Sequence, residues 1–155
     1  MQAEPLYQYL ITRNDIRLVS PNTACWRGYY GSWEIINNKL FLVDLKAYIE
    51  GYVEVDLNYI FPNHEKVFAD WFTGEIIIPL GEMLQYVHLG YESLFEKYLI
   101  LKLRRGVVVS EKEISSKEWQ KEREKEWLKF KYGIYWRIGG IVEKIRNSLK
   151  TKGKN

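Results

Sequence analysis

A pair of asparagines between two short alternating segments is the feature that most restricts how this chain can fold. Apolar residues alternate with polar ones before the pair and again after it. Because asparagine tolerates positive φ, Asn37-Asn38 predicts a two-residue hairpin turn. This turn pairs the apolar residues of the two strands on one face, Ile35 with Leu40 and Trp33 with Leu42. Apolar cross-strand pairs stabilise a sheet, so we expect an antiparallel sheet around this hairpin.

Further strand-forming segments, separated by turn residues, lie on both sides of the hairpin. Residues 6–13 predict a strand that ends at the turn Asn14-Asp15, and residues 56–61 predict one helical turn capped by Asp56. Later segments predict a hairpin around Thr73-Gly74, a turn at 79–81 and a strand over 83–88. A loop at 89–93 follows, and then a strand that ends at a turn at Arg105-Gly106. The residues of this strand that we expect to be buried are Phe95, Leu99, Leu101 and Leu103. About eight antiparallel strands result, as a meander that forms a curved sheet or a barrel-like structure.

The apolar period changes at Ser115 from that of a strand to that of a helix. Ser115 and Glu118 match the Ser-x-x-Glu capping box, and residues 116–132 are rich in Glu, Lys and Arg, which predicts a helix. Gly133 and Gly139-Gly140 weaken the helical pattern, so we expect one long bent helix or two helices.

The length of 155 residues is enough for one hydrophobic core without metals or disulfides. The predicted fold class is therefore α+β, mainly antiparallel, with a C-terminal helical segment. Its expected parts are a β body over residues 1–114, a helical arm over 115–150 and a frayed basic tail over 151–155.

The single cysteine, Cys25, makes an intramolecular disulfide impossible, which favours a reducing cytosol. The N-terminus lacks a basic region followed by an apolar run, so no signal peptide is predicted. No apolar stretch approaches the roughly 18 residues that a membrane span needs. We therefore expect a cytoplasmic protein.

Positive charge is concentrated in the last quarter of the chain. Residues 1–116 carry 11 Lys and Arg against 15 Asp and Glu, whereas residues 117–155 carry 12 against 5. The net charge of +3 thus divides into −4 and +7. A basic segment can contact nucleic-acid phosphates or an anionic membrane surface; the candidates for nucleic acid are Lys144, Arg146 and Lys150. The alternatives are a solvated helix face, or a face that lies on the acidic body of the same chain.

Four residues of the central predicted hairpins are candidates for catalysis: Asp70, Glu75, Glu82 and His88. Carboxylates and a histidine can perform acid–base chemistry or hold Mg²⁺. The chain contains no His-Glu-x-x-His, Gly-x-Ser-x-Gly or Walker A motif that would fix their geometry. No cofactor is predicted. Cys25 is expected to be buried and inert, since a nucleophilic cysteine needs a neighbouring base.

Aromatic residues are numerous, with six Trp, twelve Tyr and six Phe. Many belong in a sheet core, but they are too many for all to be buried, so we expect some to reach the surface. Exposed aromatic residues stack on single-stranded nucleic acids or anchor protein interfaces. The acidic body favours another protein, or self-association. We therefore predict a non-enzymatic protein-interaction module whose binding residues are Trp71, Phe72, His88 and Tyr91; the alternatives are a nucleic-acid-binding module and a small acid–base or metal-dependent enzyme.

Three short stretches carry a resemblance to known sequences. Residues 70–75 (Asp-Trp-Phe-Thr-Gly-Glu), 78–81 (Ile-Pro-Leu-Gly) and 86–93 (Tyr-Val-His-Leu-Gly-Tyr-Glu-Ser) resemble a pattern in small bacterial proteins of unknown function, and residues 31–34 belong to it. The resemblance covers about residues 26–108. It implies a bacterial, cytoplasmic origin and a single body domain, and it implies no activity and no site residue.

Overall fold

The computed structural model describes residues 3–87 and 93–132. The chain divides into two compact units, Met1–Glu113 and Ile114–Asn155. The first contains nearly all of a seven-stranded sheet, and the second contains a helix. The predicted α+β class is confirmed. The bend expected near Gly133 and Gly139-Gly140, and most of the predicted loop at 89–93, lie outside the described residues.

The sheet is open, with β1 and β5 at its two ends in the described part of the chain. Its strands are β1 (Tyr29–Ile36), β2 (Lys39–Ile49), β3 (Val53–Val55), β4 (Val67–Phe68), β5 (Gly74–Gln85), β6 (Leu94–Arg104) and β7 (Val107–Ser115). The order across the sheet is β1-β2-β7-β6-β5, and β3 and β4 also pair with β2. The curved-sheet alternative is thus the correct one, rather than a closed barrel.

The hairpin predicted at Asn37-Asn38 is confirmed. The two asparagines have φ values of 50° and 61°, the geometry of a type I′ turn. The predicted pairs form in the predicted register, Ile35 with Leu40 and Trp33 with Leu42. The second strand ends at Ile49.

A β-bulge interrupts the alternation of β2. The register shifts between Ser32 and Trp33, which leaves Val43 as the extra residue of β2. Inward-facing residues are therefore three positions apart at this point, Leu42 and Leu45, instead of two. The bulge allows β2 to keep its core face buried on both sides of the irregularity.

Two clusters of buried side chains form the core described for the first unit. Helices α1 (Pro5–Leu10) and α2 (Leu57–Ile60) contribute to one cluster together with β2. Its buried members are Leu6, Leu42, Leu45, Ala47, Leu57, Ile60 and Phe61. The buried members of the second cluster come from β2, from the connection between β4 and β5, and from β5 and β6: Leu40, Ala69, Phe72, Ile76, Leu101 and Leu103.

The prediction of a strand over residues 6–13 is wrong, because this segment begins as helix α1. Pro5 lies in the first helical turn, where its missing N–H and fixed φ favour a helix. Leu6, Tyr9 and Leu10 follow helical spacing and pack on the first cluster. Burial at this spacing outweighs the strand propensity of the aromatic and β-branched residues.

The predicted hairpin around Thr73-Gly74 is also wrong. Strand β4 has two residues and pairs with β2, where Phe68 lies opposite Phe41. Gly74 begins β5 and pairs with Leu103 of β6. These partners are distant in sequence, so local alternation could not indicate them.

The turn predicted at 79–81 lies inside β5 instead. Pro79 pairs with Tyr98, and a proline is tolerated because β5 is at the edge of the sheet. Gly81 has a φ of 75° and lies at an irregularity between Leu80 and Met83, so the chain bends without leaving the sheet. One long strand replaces two predicted ones. Together with the loss of the strand over 6–13 and the unpredicted strand β3, this gives seven strands instead of eight.

Both predicted helix caps are confirmed. The Asp56 carboxylate accepts a hydrogen bond of 3.0 Å from the Asn58 amide at the start of α2. Residues 116–132 form the third helix, α3, as predicted. The Ser115 amide donates to the Glu118 carboxylate at 2.9 Å and the Glu118 amide donates to Ser115 Oγ at 3.4 Å. This reciprocal pair is the capping box.

Candidate functional site

The structure places Trp71 and Phe72 in the core. Phe72 is buried, and the Trp71 ring stacks on Phe61, with centroids 5.6 Å apart and an interplanar angle of 11°. The Trp71 ring also lies 4.9 Å from that of Tyr9, and Trp71 Nε1 donates a 3.0 Å hydrogen bond to the Pro5 carbonyl. The predicted exposure is therefore wrong for Phe72, and Trp71 is half-buried by its packing against the core.

The carboxylates predicted for catalysis are dispersed. Asp70, Glu75 and Glu82 are all exposed, and Glu75 pairs with Lys102 at 3.2 Å. Glu75 and Glu82 belong to the same strand and are separated by roughly 20 Å of extended chain. Within residues 3–87 and 93–132, no three His, Cys, Asp or Glu side chains lie close enough to hold a metal ion.

Several predicted residues fall outside the described part of the chain: His88, Tyr91, Lys144, Arg146 and Lys150. Cys25 is described, and its thiol is buried, as expected. It lies at the end of the short 3-10 helix Thr23–Cys25, where the Asn22 side chain accepts a hydrogen bond from the Cys25 amide at 3.0 Å.

One surface of the sheet combines aromatic and charged side chains. It is the outer face of β1, β2 and β4, opposite the buried residues Leu42, Leu45 and Ala47. Since side chains alternate along a strand, the neighbours of these buried residues point outward. We call this surface the aromatic face and define it by Tyr30, Phe41, Tyr48, Phe68, Lys39, Lys46 and Lys66.

Each lysine of the aromatic face lies against an aromatic ring. The distances from Nζ to ring centroid are 5.4 Å for Lys39 and Phe68, 5.6 Å for Lys66 and Phe41, and 5.7 Å for Lys46 and Tyr48. The Phe41 and Phe68 rings are 5.6 Å apart. Separations below about 6 Å are those of cation–π contacts. The aromatic and cationic groups therefore hold one another in place.

Carboxylates balance the lysines of this face. Lys46 Nζ lies 2.6 Å from Glu54 Oε2, and the Tyr48 hydroxyl donates to the same oxygen at 3.5 Å. The hydrogen bond with Glu54, followed by that with Tyr48, raises the pKa of Lys46, so its charge is retained. Glu34 and Asp44 lie on the same outer face in the register of the hairpin. Three carboxylates thus accompany three lysines.

An exposed tryptophan lies near Tyr30 in the chain. Hydrogen bonding with the Cys25 thiol raises the pKa of Tyr30, which connects the face to the loop that carries Trp26. The Arg27 guanidinium lies 4.9 Å from the Trp26 ring centroid and forms an ion pair with Glu4. This pair anchors the loop beside the start of α1.

A cavity of about 220 Å³ lies between this loop, β1 and the start of α1. Glu4, Arg27, Tyr29 and Trp33 are among its lining residues. Burial, with a smaller contribution from the Glu4 carboxylate, raises the pKa of Tyr29 to about 12. The two charged side chains neutralise each other through their ion pair.

Sequence reasoning missed most of the aromatic face. Tyr30 and Tyr48 belong to the aromatic surplus noted above, but their outward orientation was not predicted. The signal was the alternation along β2, interrupted by the bulge at Val43. The members that sequence reasoning did not identify are Lys39, Phe41, Lys46, Lys66 and Phe68.

The fold and this surface define an α+β protein with an open antiparallel sheet and an ordered aromatic face. Comparisons with models of protein families, with curated proteins and with solved structures found no match. Among the described residues, no helix has the length and apolar character needed to cross a membrane.

Proposed function

We propose that the chain is a non-enzymatic interaction module that binds another protein through the aromatic face. The observation that carries this proposal is the set of three lysine–aromatic contacts on one outer sheet surface. Tyrosine and other aromatic side chains are frequent anchors of protein interfaces. Side chains that are already ordered lose less conformational entropy when a partner binds.

The charges of the face favour a protein over a nucleic acid. Glu34, Asp44 and Glu54 lie among the lysines, and they would repel a chain of phosphates. A protein surface carries both signs of charge and can complement this alternation. A second copy of the chain satisfies the same requirement, so self-association remains within the proposal.

We further propose that the module acts in a bacterial cytoplasm. Cys25 is a buried thiol in a chain that cannot form an internal disulfide, which suits a reducing compartment. The resemblance of residues 70–93 to small bacterial proteins supports the same assignment. Fractionation of bacterial cells that express the chain should recover it without periplasmic marker proteins.

Site-specific photo-crosslinking tests the proposed binding surface. A benzophenone side chain at position 30 of the full chain, in bacterial cells, should give one discrete protein adduct. Lys46→Glu should remove that adduct, because a truncated or reversed anchor typically costs about thirtyfold in affinity. An adduct of twice the chain's mass would identify self-association.

Position 7 provides a matched control. Tyr7 is 52% exposed and Tyr30 is 50% exposed, but Tyr7 belongs to α1. The same crosslinker at position 7 should give no discrete adduct. Equal amounts of adduct from the two positions would refute the proposal. So would an adduct at position 30 that still forms in Lys46→Glu when the thermal unfolding of that variant is unchanged.

A further inference from the structure

Helix α3 changes character after Glu126. Residues 117–126 contain four Lys or Arg and four Glu, whereas residues 127–132 contain two Lys and no acidic residue. Four large apolar side chains in this last part are exposed: Trp127 at 56%, Leu128 at 36%, Phe130 at 68% and Tyr132 at 61%. A helix of a soluble domain ordinarily turns such residues toward a core. The end of α3 thus presents an apolar surface.

The apolar side chains surround much of the helix. At 100° per residue, the arc from Phe130 through Trp127 to Tyr132 spans about 200°. Lys131 Nζ lies 4.8 Å from the Trp127 ring centroid, and Lys129 pairs with Glu126 at 2.5 Å. One cation, Lys131, is therefore in direct contact with an apolar ring on this surface.

The excess positive charge of the chain begins at the same place. Residues 127–155 contain eight Lys and Arg and a single acidic residue, Glu143, for a net charge of +7. Residues 1–126 have a net charge of −4. A partner that complements this segment must therefore be both negatively charged and able to accept large apolar side chains.

We infer that the end of α3, residues 127–132, binds the surface of an anionic lipid bilayer. Trp and Tyr concentrate at the boundary between headgroups and acyl chains, and Lys and Arg reach the lipid phosphates. A helix with this composition lies in the plane of the interface with its apolar side inserted. Trp127 and Phe130 supply the apolar contact, and Lys129 and Lys131 the first cationic contacts.

Two other partners fit the segment less well. A nucleic-acid duplex would use the lysines alone, and a single strand could stack on only some of the rings, because the apolar side chains span about 200° of the helix surface. A second copy of the chain would bring another +7 segment against the first, and like charges oppose that contact. An anionic bilayer is the partner that uses both properties.

Vesicle co-sedimentation of the full chain tests the inference. The chain should bind vesicles of phosphatidylcholine with phosphatidylglycerol and not vesicles of phosphatidylcholine alone. Trp127→Ala with Phe130→Ala should weaken binding by at least about tenfold, because the apolar insertion is lost. Lys129→Gln with Lys131→Gln should weaken it by about thirtyfold through the loss of two charges.

Trp26→Ala is the matched control, because Trp26 is 65% exposed and also contacts a cation, Arg27. It should leave vesicle binding unchanged. Far-UV circular dichroism should match the parent chain for every variant, and the lysine pair provides a second test if the aromatic pair alters the helix. If the parent chain binds the anionic vesicles and a correctly folded aromatic variant binds them equally well, the inference is overturned.

Four further outcomes would also overturn it. The first is an absence of binding to the anionic vesicles, and the second is equal binding to both vesicle types. The third is binding to a single-stranded oligonucleotide, without vesicle binding, that depends on Lys129 and Lys131 but not on Trp127 and Phe130. If the parent chain does not bind vesicles but forms a dimer, and Trp127→Ala with Phe130→Ala makes it monomeric, the surface serves self-association instead.

Discussion

Replacing Gly106 by alanine tests a close backbone contact beside the sheet. Gly106 follows Arg105 in the predicted turn between β6 and β7, and the two φ values are 48° and 72°. An added Cβ would lie 2.5 Å from the Ala69 carbonyl oxygen. The Gly106 amide donates to the Phe72 carbonyl at 2.7 Å, and its carbonyl accepts from the Leu40 amide at 2.8 Å. These bonds prevent the turn from moving away without loss.

The expected cost has two parts. A positive φ costs alanine about 1 kcal/mol relative to glycine. Relief of the steric overlap costs about a further 1–3 kcal/mol. Gly106→Ala should therefore lower the free energy of unfolding by about 2–4 kcal/mol, a large fraction of the roughly 5–15 kcal/mol typical of a domain.

Gly51→Ala separates the two parts. Gly51 has a φ of 79°, but its added Cβ would meet only Val53 Cγ2, at 3.9 Å. We expect a loss of about 1 kcal/mol for this variant. Urea titrations followed by circular dichroism should show a lower midpoint for both variants at an unchanged slope. Equal losses for the two variants would refute the argument from close packing at Gly106.

Three further predictions concern the fold. Trp71→Ala should cost about 3–5 kcal/mol in urea unfolding, because Trp71 is packed and hydrogen-bonded, whereas Trp26→Ala should cost less than about 1 kcal/mol. Asn38→Gly should preserve or raise the thermal midpoint and Asn38→Ala should lower it, by about 1 kcal/mol in stability, since φ at this turn position is 61°. The pKa of Tyr29 rises from 10.0 to about 12 on folding, so its contribution to stability is complete below pH 10 and is lost as the pH rises to 12. Urea midpoints at intervals over this pH window should fall less steeply for Tyr29→Phe than for the parent chain.

The parts of the fold predicted correctly from sequence are those specified by neighbouring residues. The Asn37-Asn38 turn fixes its own hairpin register through two positive φ values. Ser115 and Glu118 complete a cap within four residues. Such contacts depend on local chemistry, so the sequence alone is enough to indicate them.

The parts predicted wrongly depend on partners that are distant in the chain. The strand after Thr73 was expected to pair with the segment just before it. Instead it pairs with β6, where Gly74 lies opposite Leu103. The Trp71 ring contacts Tyr9 of α1, and strand propensity had predicted a strand for that segment. The aromatic face was hidden for a related reason, since β4 reaches β2 across more than twenty residues of intervening chain.

The two proposed surfaces contain the same kind of contact, a lysine against an aromatic ring, but they differ in the number of acidic residues around it. Lys46 lies 5.7 Å from the Tyr48 ring centroid and Lys131 lies 4.8 Å from that of Trp127. Three carboxylates accompany the three lysines of the aromatic face, whereas one accompanies the eight Lys and Arg of residues 127–155.

Salt should therefore separate the two surfaces. Raising NaCl from about 50 to about 300 mM should change crosslinking at position 30 of the purified chain with its captured partner by less than about twofold, because attractions and repulsions are screened together. The same change should weaken vesicle binding by about tenfold or more, because only attractions are screened. Equal responses would show that the balance of carboxylates and lysines does not select the partner.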